Sequence, residues 1–182
     1  MLITPNILSI FRICLVPLFA LTYFSGIRNA GVWAFVIYVI ASLTDMLDGY
    51  IARRFNLITD LGKVLDPLGD KLLTFCAVAC LSISGILPGW ILIIFICKEL
   101  MMGLGGILVH KIAKSAIPPS NYWGKTATML FSVTCAALIL FSDRIPRTTA
   151  LIMICICLAV SLAAFASYIV QFRKIMKECG RN

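Results

Sequence analysis

The sequence predicts an all-α integral membrane protein, a single domain over residues 1–182 built as a bundle of six transmembrane helices. Three observations support this prediction. Hydrophobic residues make up 61% of the 182 residues and charged residues only 13%, with a mean hydropathy of +1.01. That composition is more apolar than a soluble domain of this size tolerates. Six apolar stretches approach the ~20 residues that cross a bilayer, and most basic residues lie near their ends.

The six predicted spans follow one another with short connections, at 7–25, 31–53, 63–84, 88–110, 122–142 and 147–172. Ahead of the first span, residues 1–9 contain Pro5 and Asn6, which favour a short interfacial segment turning into the bilayer. The first run lacks a basic segment before it and a small-residue cleavage site after it, so it is expected to remain as a span.

The later spans carry features that fit their positions. The second ends at Arg53, and the third holds Pro67 in its early part, where a missing N–H is best tolerated. The fourth contains Lys98, a charge that needs an anion inside an apolar run. The fifth opens beside an aromatic segment at 121–123 that suits a membrane interface. The sixth is followed by a basic tail.

The distribution of Lys and Arg predicts the orientation. Twelve of the sixteen basic residues fall at the N-terminus, the 53–71 and 111–125 connections and the C-terminal tail, counting Arg12 with the N-terminus. By the positive-inside rule these ends face the cytoplasm, together with both termini, and the chain lies in the cell membrane. The net charge of +8 then fits anionic lipid headgroups rather than nucleic acid, because no soluble basic domain is present.

Acidic residues are concentrated in one segment. Five of the eight lie within 26 residues: Asp45, Asp48, Asp60, Asp66 and Asp70. Carboxylates at the edge of hydrocarbon cost several kcal/mol unless they are paired or ligated. The cluster is therefore the candidate active site, with a pair of divalent ions as the simplest partner. Asp60 is out of phase with the other four and is expected in a loop or at a helix start.

The second predicted span carries one half of this site. Positions 45, 48, 49, 52 and 53 share one helix face, which normally carries the apolar stripe. Because this face holds Asp, Asp, Gly, Ala and Arg, it is expected to line a polar cavity. Gly49 and Ala52 would let a nucleotide or pyrophosphate approach the backbone closely, and Arg53 would hold a phosphate through charge-assisted hydrogen bonds.

The third predicted span carries the other half, because Gly62, Asp66 and Asp70 are spaced four residues apart on one face. Four carboxylates from two helices suit hard ions such as Mg²⁺ or Mn²⁺, whereas zinc would call for His or Cys. The eight cysteines lie mostly within apolar runs without a C-x-x-C pair, which indicates packing residues. Two ions ~4 Å apart could clamp a phosphoryl group during displacement.

The acidic segment resembles the CDP-alcohol phosphatidyltransferase family. It matches without a gap the family signature D-x2-D-G-x2-A-R-x8-G-x3-D-x3-D, from Asp45 to Asp70. The segment at 4–12 is similar to the family's opening, and six spans are its usual architecture. The resemblance implies two metal ions held by the four aspartates of the signature and a CDP group held by Gly49, Ala52, Arg53 and Gly62. It also implies that Asp70 is the general base and that the chain forms a homodimer.

The acceptor expected from the resemblance is glycerol 3-phosphate, to which the phosphatidyl group of CDP-diacylglycerol would pass with release of CMP. Lys98 and Glu99 stand where the glycerol 3-phosphate subgroup usually has an Arg-Glu pair, and residues 124–127 are similar to its Gly-Lys-x-Lys-Thr segment, with Lys125 at the first lysine. Lys98 and Lys125 are therefore the candidate ligands of the acceptor phosphate. For Lys98, an internal ion pair with Glu99 or an aspartate is the alternative.

Other activities stay open at this point. With the same chemistry, the acceptor would be phosphatidylglycerol, as in a cardiolipin synthase, or inositol phosphate or serine. From different classes, a membrane prenyltransferase also uses Asp-rich helices, but its motifs form two separated clusters without the Gly-x2-Ala-Arg element. An ion transporter could use intramembrane carboxylates. Release of CMP would separate both from a phosphatidyltransferase.

Overall fold

In the computed structural model of the protein, the described backbone covers residues 5–55, 60–113, 122–142 and 144–179, and side chains are described for 10–44, 69, 71–104, 124, 126–142, 144–167 and 169. These residues form six α-helices, and no strand occurs among them. The helices are α1 Pro5–Tyr23, α2 Ala30–Phe55, α3 Asp60–Ile83, α4 Gly89–Ala113, α5 Tyr122–Leu140 and α6 Arg147–Cys179.

The bundle is organised around α1, which packs against α2 and α3, while α5 packs against α6 and α2. Helix α4 completes the bundle through contacts with α3 and α6. The core between them is apolar. Phe19 of α1 and Tyr38 of α2 are almost fully buried, and their ring centroids lie 5.9 Å apart. Close packing of such side chains contributes to holding the described helices together.

Short turns connect the helices at the end of the bundle where α1 and α3 finish. Gly26 and Asn29 adopt φ values of 66° and 65° between α1 and α2, and Gly85 adopts 76° after α3. At the end of α3, the N–H groups of Ile86 and Leu87 donate to the carbonyl oxygen of Leu81. This left-handed helix ending satisfies a terminal carbonyl and reverses the chain tightly toward α4.

The outer surface of the bundle is rich in large apolar side chains. Leu21, Ile83, Ile93 and Val133 are each at least 60% exposed. Within the described residues, the segment 147–167 in α6 is long and apolar enough to cross a membrane, and shorter apolar helical segments occur at 10–23, 30–44, 71–83 and 126–140. The all-helical fold with six helices agrees with the sequence, and the assignment of all six as membrane spans stays a prediction.

Helix boundaries differ from the predicted spans mainly at the chain ends. No break separates a first segment from α1, because the helix begins at Pro5, whose missing N–H is tolerated in a first turn. Residues 1–4 of that predicted interfacial segment lie outside the described residues. Helix α6 continues to Cys179, past the predicted end of the sixth span, because its polar and basic C-terminal residues extend the same helix.

Two basic residues are not the chain-end charges that the orientation argument assumed. Arg12 has 0% exposure within α1, and Lys71 lies in α3 with its ammonium paired to Glu99 of α4. Counting charges near span ends does not reveal which of them are buried, as Arg12 is, or paired with a neighbouring helix, as Lys71 is.

Candidate active site

The acidic positions of α2 continue a buried stripe. Ala34, Tyr38 and Ala41 are at most 2% exposed, with the alternating spacing of four and three residues that marks one helix face. The same spacing leads to Asp45 and Asp48, which lie further along the same continuous helix. By register, both positions lie on the face that α2 uses to pack into the bundle.

The acidic positions of α3 also continue a buried stripe, which on this helix runs back toward its first residue. Leu73 and Ala77 are at most 3% exposed, and the same spacing leads back to Asp70 and Asp66 on this helix. Only residues 56–59 separate α2 from α3, and the two helices contact each other. The four predicted metal ligands therefore occupy the adjoining ends of neighbouring helices, although their side chains lie outside the described residues.

The remaining predicted donor-site residues also have described backbone only. Gly49, Ala52 and Arg53 lie in the last two turns of α2, and Gly62 lies in the first turn of α3. Asp60 is the first residue of α3, which confirms its predicted place at a helix start. Within the part of the chain with described side chains, no group of three or more His, Cys, Asp or Glu is arranged to hold a metal. The four aspartates stay the predicted metal ligands.

Beside Asp70, a cluster of charged side chains joins three helices. Lys98 of α4 is 6% exposed, and its Nζ lies 2.6 Å from Glu99 Oε1 and donates a hydrogen bond of 2.8 Å to Ser161 Oγ of α6. The ammonium of Lys71, the residue after Asp70 in α3, pairs with Oε2 of the same glutamate. We call Lys71, Lys98, Glu99 and Ser161 the basic cluster.

The basic cluster lines a small cavity of about 30 Å³. The Nζ of Lys98 lies 5.4 Å from the ring centroid of Phe95, which stacks on Phe131 with centroids 5.1 Å apart. The aromatic face provides a cation–π contact and shields that side of the ammonium from water. Polar groups from α3 and α5 complete the lining: Thr74, Thr128 and Ser132.

The charge of this cluster favours an anion. Two ammonium groups, the buried one of Lys98 and the partly exposed one of Lys71, share the one carboxylate of Glu99, which leaves a net charge of about +1. A lysine ammonium has three N–H donors. Among the described side chains, two acceptors contact that of Lys98, namely Glu99 and Ser161. An anionic oxygen in the cavity would supply the third acceptor and balance the charge.

The structure thus gives Lys98 the internal ion pair that the sequence left as an alternative, and it places this pair at a cationic cavity. Lys125, the other predicted acceptor ligand, lies in the first turn of α5, and its side chain is outside the described residues. By register it shares a face with Thr128 and Ser132, which line the cavity. Lys125 is therefore about one turn along α5 from Thr128, the nearest of these cavity-lining residues.

Two members of the basic cluster were missed by sequence reasoning. Lys71 carried a usable signal, because it follows Asp70 directly and opens an apolar run. Ser161 carried none, since a serine inside an apolar helix gives no indication of its tertiary partner.

The fold and the site together define a helical bundle in which an acidic helix pair adjoins a cationic cavity, an arrangement suited to phosphate groups. The family model of the CDP-alcohol phosphatidyltransferases matches residues 2–164. The chain belongs to this family, which confirms the resemblance and makes the protein a transferase. Family membership removes the support for a prenyltransferase or an ion transporter.

Curated relatives cover most of the chain. A protein of Rickettsia bellii named CDP-diacylglycerol–glycerol-3-phosphate 3-phosphatidyltransferase is 36% identical over 139 residues, 76% of this chain and 75% of the relative. A Bacillus subtilis protein of the same name is 32% identical over 148 residues, 75% of this chain and 76% of its own. A Streptomyces coelicolor protein named cardiolipin synthase (CMP-forming) is 35% identical over 130 residues, 68% and 59%.

Proposed function

We propose that the protein transfers the phosphatidyl group of CDP-diacylglycerol to glycerol 3-phosphate, forming phosphatidylglycerol phosphate and releasing CMP. The observation that carries this proposal is the basic cluster, a site of net positive charge in which Lys98 is buried and Lys71, partly exposed, joins the cluster to the helix of Asp70. A phosphorylated acceptor supplies the anion that this cluster favours. The names of the Rickettsia bellii and Bacillus subtilis relatives support the same pair of substrates.

Two divalent ions, Mg²⁺ or Mn²⁺, would be held by Asp45, Asp48, Asp66 and Asp70. The donor set supports this, because carboxylate oxygens are the ligands that these ions prefer, and the four positions occupy adjoining ends of α2 and α3. When bound, the ions would supply positive charge opposite the oxygens of the diphosphate.

Different residues of the chain would perform proton transfer and hold the CDP group. Asp70 takes the proton of the acceptor hydroxyl as its oxygen forms a bond to the β-phosphorus of CDP-diacylglycerol, and the bond from that phosphorus to the CMP oxygen breaks. Gly49, Ala52, Arg53 and Gly62 hold the CDP group. The two glycines and the alanine allow close approach to the backbone, and the guanidinium of Arg53 binds phosphate.

The acceptor phosphate would bind between Lys98 and Lys125. The cavity of about 30 Å³ beside Lys98 matches one or two oxygen-sized atoms rather than a whole acceptor. One phosphate oxygen would therefore enter the basic cluster, while the rest of the acceptor extends along α5 and toward Asp70. Lys71 contributes by keeping one oxygen of Glu99 occupied, so that this carboxylate does not fully neutralise Lys98.

We further propose that residues 1–182 form one domain integral to the cell membrane, with six spans, and with both termini and the acidic helix ends at the cytoplasmic side. The large exposed apolar side chains support contact with lipid. The uneven distribution of Lys and Arg supports the orientation. A homodimer is part of the same proposal and rests on family resemblance.

A second candidate function has one supporting observation. The Streptomyces coelicolor relative is named cardiolipin synthase (CMP-forming) and is as similar as the others. Such an enzyme would use phosphatidylglycerol, whose phosphate is a diester, in place of glycerol 3-phosphate.

The test is a direct assay of the purified full-length protein with CDP-diacylglycerol, Mg²⁺ or Mn²⁺, and a panel of radiolabelled alcohols. We expect phosphatidylglycerol phosphate and equimolar CMP with glycerol 3-phosphate, and no product with inositol phosphate or serine. Product from phosphatidylglycerol and none from glycerol 3-phosphate would support cardiolipin synthase activity in place of the proposed one. Absence of CMP with every acceptor would refute the transferase proposal.

A further inference from the structure

Arg12 is the largest fully buried side chain among those described, with 0% exposure. Arginine stays protonated in proteins, and a buried charge persists only beside an opposite charge or a dense set of acceptors. Where side chains are described, Glu99 is the single acidic residue, and it pairs with two lysines. The position of Arg12 therefore points to an anion elsewhere in the chain.

The guanidinium of Arg12 lies against one point of α3. A Cβ atom placed on Gly69 would be 3.3 Å from Nη1 and 3.5 Å from Cδ of Arg12. Gly69 is itself buried. The absence of a side chain at Gly69 thus leaves room for the guanidinium, and even the Cβ of an alanine there would require Arg12 to shift by a few tenths of an ångström.

Two carboxylate positions flank Gly69 on the same helix. Asp66 precedes it by three residues and Asp70 follows it directly. At about 100° per residue, these positions lie about 60° and 100° around the helix axis from Gly69. Asp66 therefore lies on the side of α3 that faces α1 at Arg12, and Asp70 lies at the edge of that side. Asp60, nine residues before Gly69, is two and a half turns away.

We propose that Arg12 is a positioning residue, the fixed internal positive charge that offsets Asp66 and Asp70 and holds the acidic end of α3 against α1. The role of those aspartates in the reaction rests on the proposed function, but the charge coupling does not. The charge of Arg12 stabilises the folded state around these closely spaced carboxylates when no other cation neutralises them. Gly69 serves the same purpose by leaving room for the guanidinium.

A double-mutant cycle on the full chain in detergent with excess chelator tests the coupling through the thermal midpoint Tm. Arg12→Met should lower Tm by about 5–10 °C, since it leaves the carboxylates of Asp66 and Asp70 without their counter-charge. Adding Asp66→Asn or Asp70→Asn to that variant should restore at least half of the loss. Arg12→Met with Asp60→Asn, the control acid, should be additive. Additivity with both Asp66→Asn and Asp70→Asn would overturn the proposal.

Two further measurements sharpen the result. Mg²⁺ should raise the Tm of Arg12→Met more than that of the wild type, because the ion supplies the missing positive charge; an equal shift would count against the coupling. Gly69→Ala should lower Tm, whereas Gly103→Ala, which meets nothing within 4 Å, should not.

Arg12→Met alone could yield no folded protein. In that case, recovery of folded protein on adding Asp66→Asn or Asp70→Asn supports the proposal. Failure of both double variants to fold overturns it. These readouts are independent of turnover. A wild type without transferase activity would refute the proposed function and leave the coupling result standing.

Discussion

The ammonium of Lys98 in α4 donates a 2.8 Å hydrogen bond to the hydroxyl of Ser161 in α6, 63 residues further along the chain. Both side chains are at most 7% exposed. A flexible lysine is thereby fixed on two sides, by this hydroxyl and by the carboxylate of Glu99. A fixed ammonium loses less conformational entropy when an anion binds than a mobile one does.

Ser161→Ala should raise the Michaelis constant for glycerol 3-phosphate by about 5- to 30-fold, because one hydrogen bond to a charged group is lost. The Michaelis constant for CDP-diacylglycerol should change little. Ser161→Thr keeps the hydroxyl and should recover most of the loss. Ser167→Ala is the control in the same helix, since that hydroxyl donates to the backbone of Ala164. Equal changes for both substrates would contradict the positioning role.

Lys98→Met and Lys125→Met should each raise the Michaelis constant for glycerol 3-phosphate by about 10- to 100-fold, because a charge-assisted contact to phosphate disappears. Steady-state kinetics with each substrate varied in turn measures this. Arg28→Met, an exposed residue in the α1–α2 connection, is the control. A larger effect on CDP-diacylglycerol than on the acceptor would show that these lysines serve the donor.

Asp70→Asn should lower turnover by several orders of magnitude while CDP-diacylglycerol still binds, because the amide cannot accept the proton of the acceptor hydroxyl. By contrast, Asp45→Ala and Asp48→Ala should weaken the binding of Mn²⁺ itself, since each removes a ligand. Single-turnover kinetics and Mn²⁺ titration separate the two effects. Near-normal turnover of the Asp70→Asn variant would show that Asp70 is not the general base.

Activity should vanish in excess chelator and return with Mg²⁺ or Mn²⁺, but not with K⁺ alone, because only divalent ions match the charge density of four carboxylates. CMP release measured across a metal titration checks this. Full activity in excess chelator would rule out the proposed metal ions. It would not bear on the proposed role of the basic cluster in binding the acceptor.

Gly31→Ala should lower Tm by a few degrees. A Cβ at this position in α2 would lie 3.2 Å from the backbone carbonyl oxygen of Ile139 in α5, and backbone cannot move aside as a flexible side chain can. Gly103→Ala is the matched control, because open space surrounds that position and alanine favours helix by up to about 1 kcal/mol. An unchanged Tm of Gly31→Ala would contradict the close approach of α2 and α5 at this position.

Much of the helical layout could be predicted because long apolar runs have few alternatives. The fifth run was expected over 122–142 and is found as Tyr122–Leu140. Helix α3 begins earlier than the predicted span, at Asp60, because a carboxylate is favourable at a helix N-terminus even where the residue is too polar for a membrane span.

The acidic positions could also be predicted, since helical spacing alone puts Asp66 and Asp70 on one face. Contacts between side chains of different helices could not be predicted. Nothing near Ser161 in the sequence distinguishes it from a serine that packs against a neighbouring helix, and Arg12 looked like a chain-end charge. Their environments depend on which helices become neighbours, and this is a tertiary property that local periodicity does not contain.

Lys71 pairs with Glu99 and directly follows Asp70 in α3. Consecutive Cα atoms are about 3.8 Å apart in a trans chain, so the backbone of the candidate base lies one peptide unit from that of Lys71. A movement of α3 that breaks the ion pair between Lys71 and Glu99 would therefore also displace Asp70, which couples the position of this residue to the contact between α3 and α4.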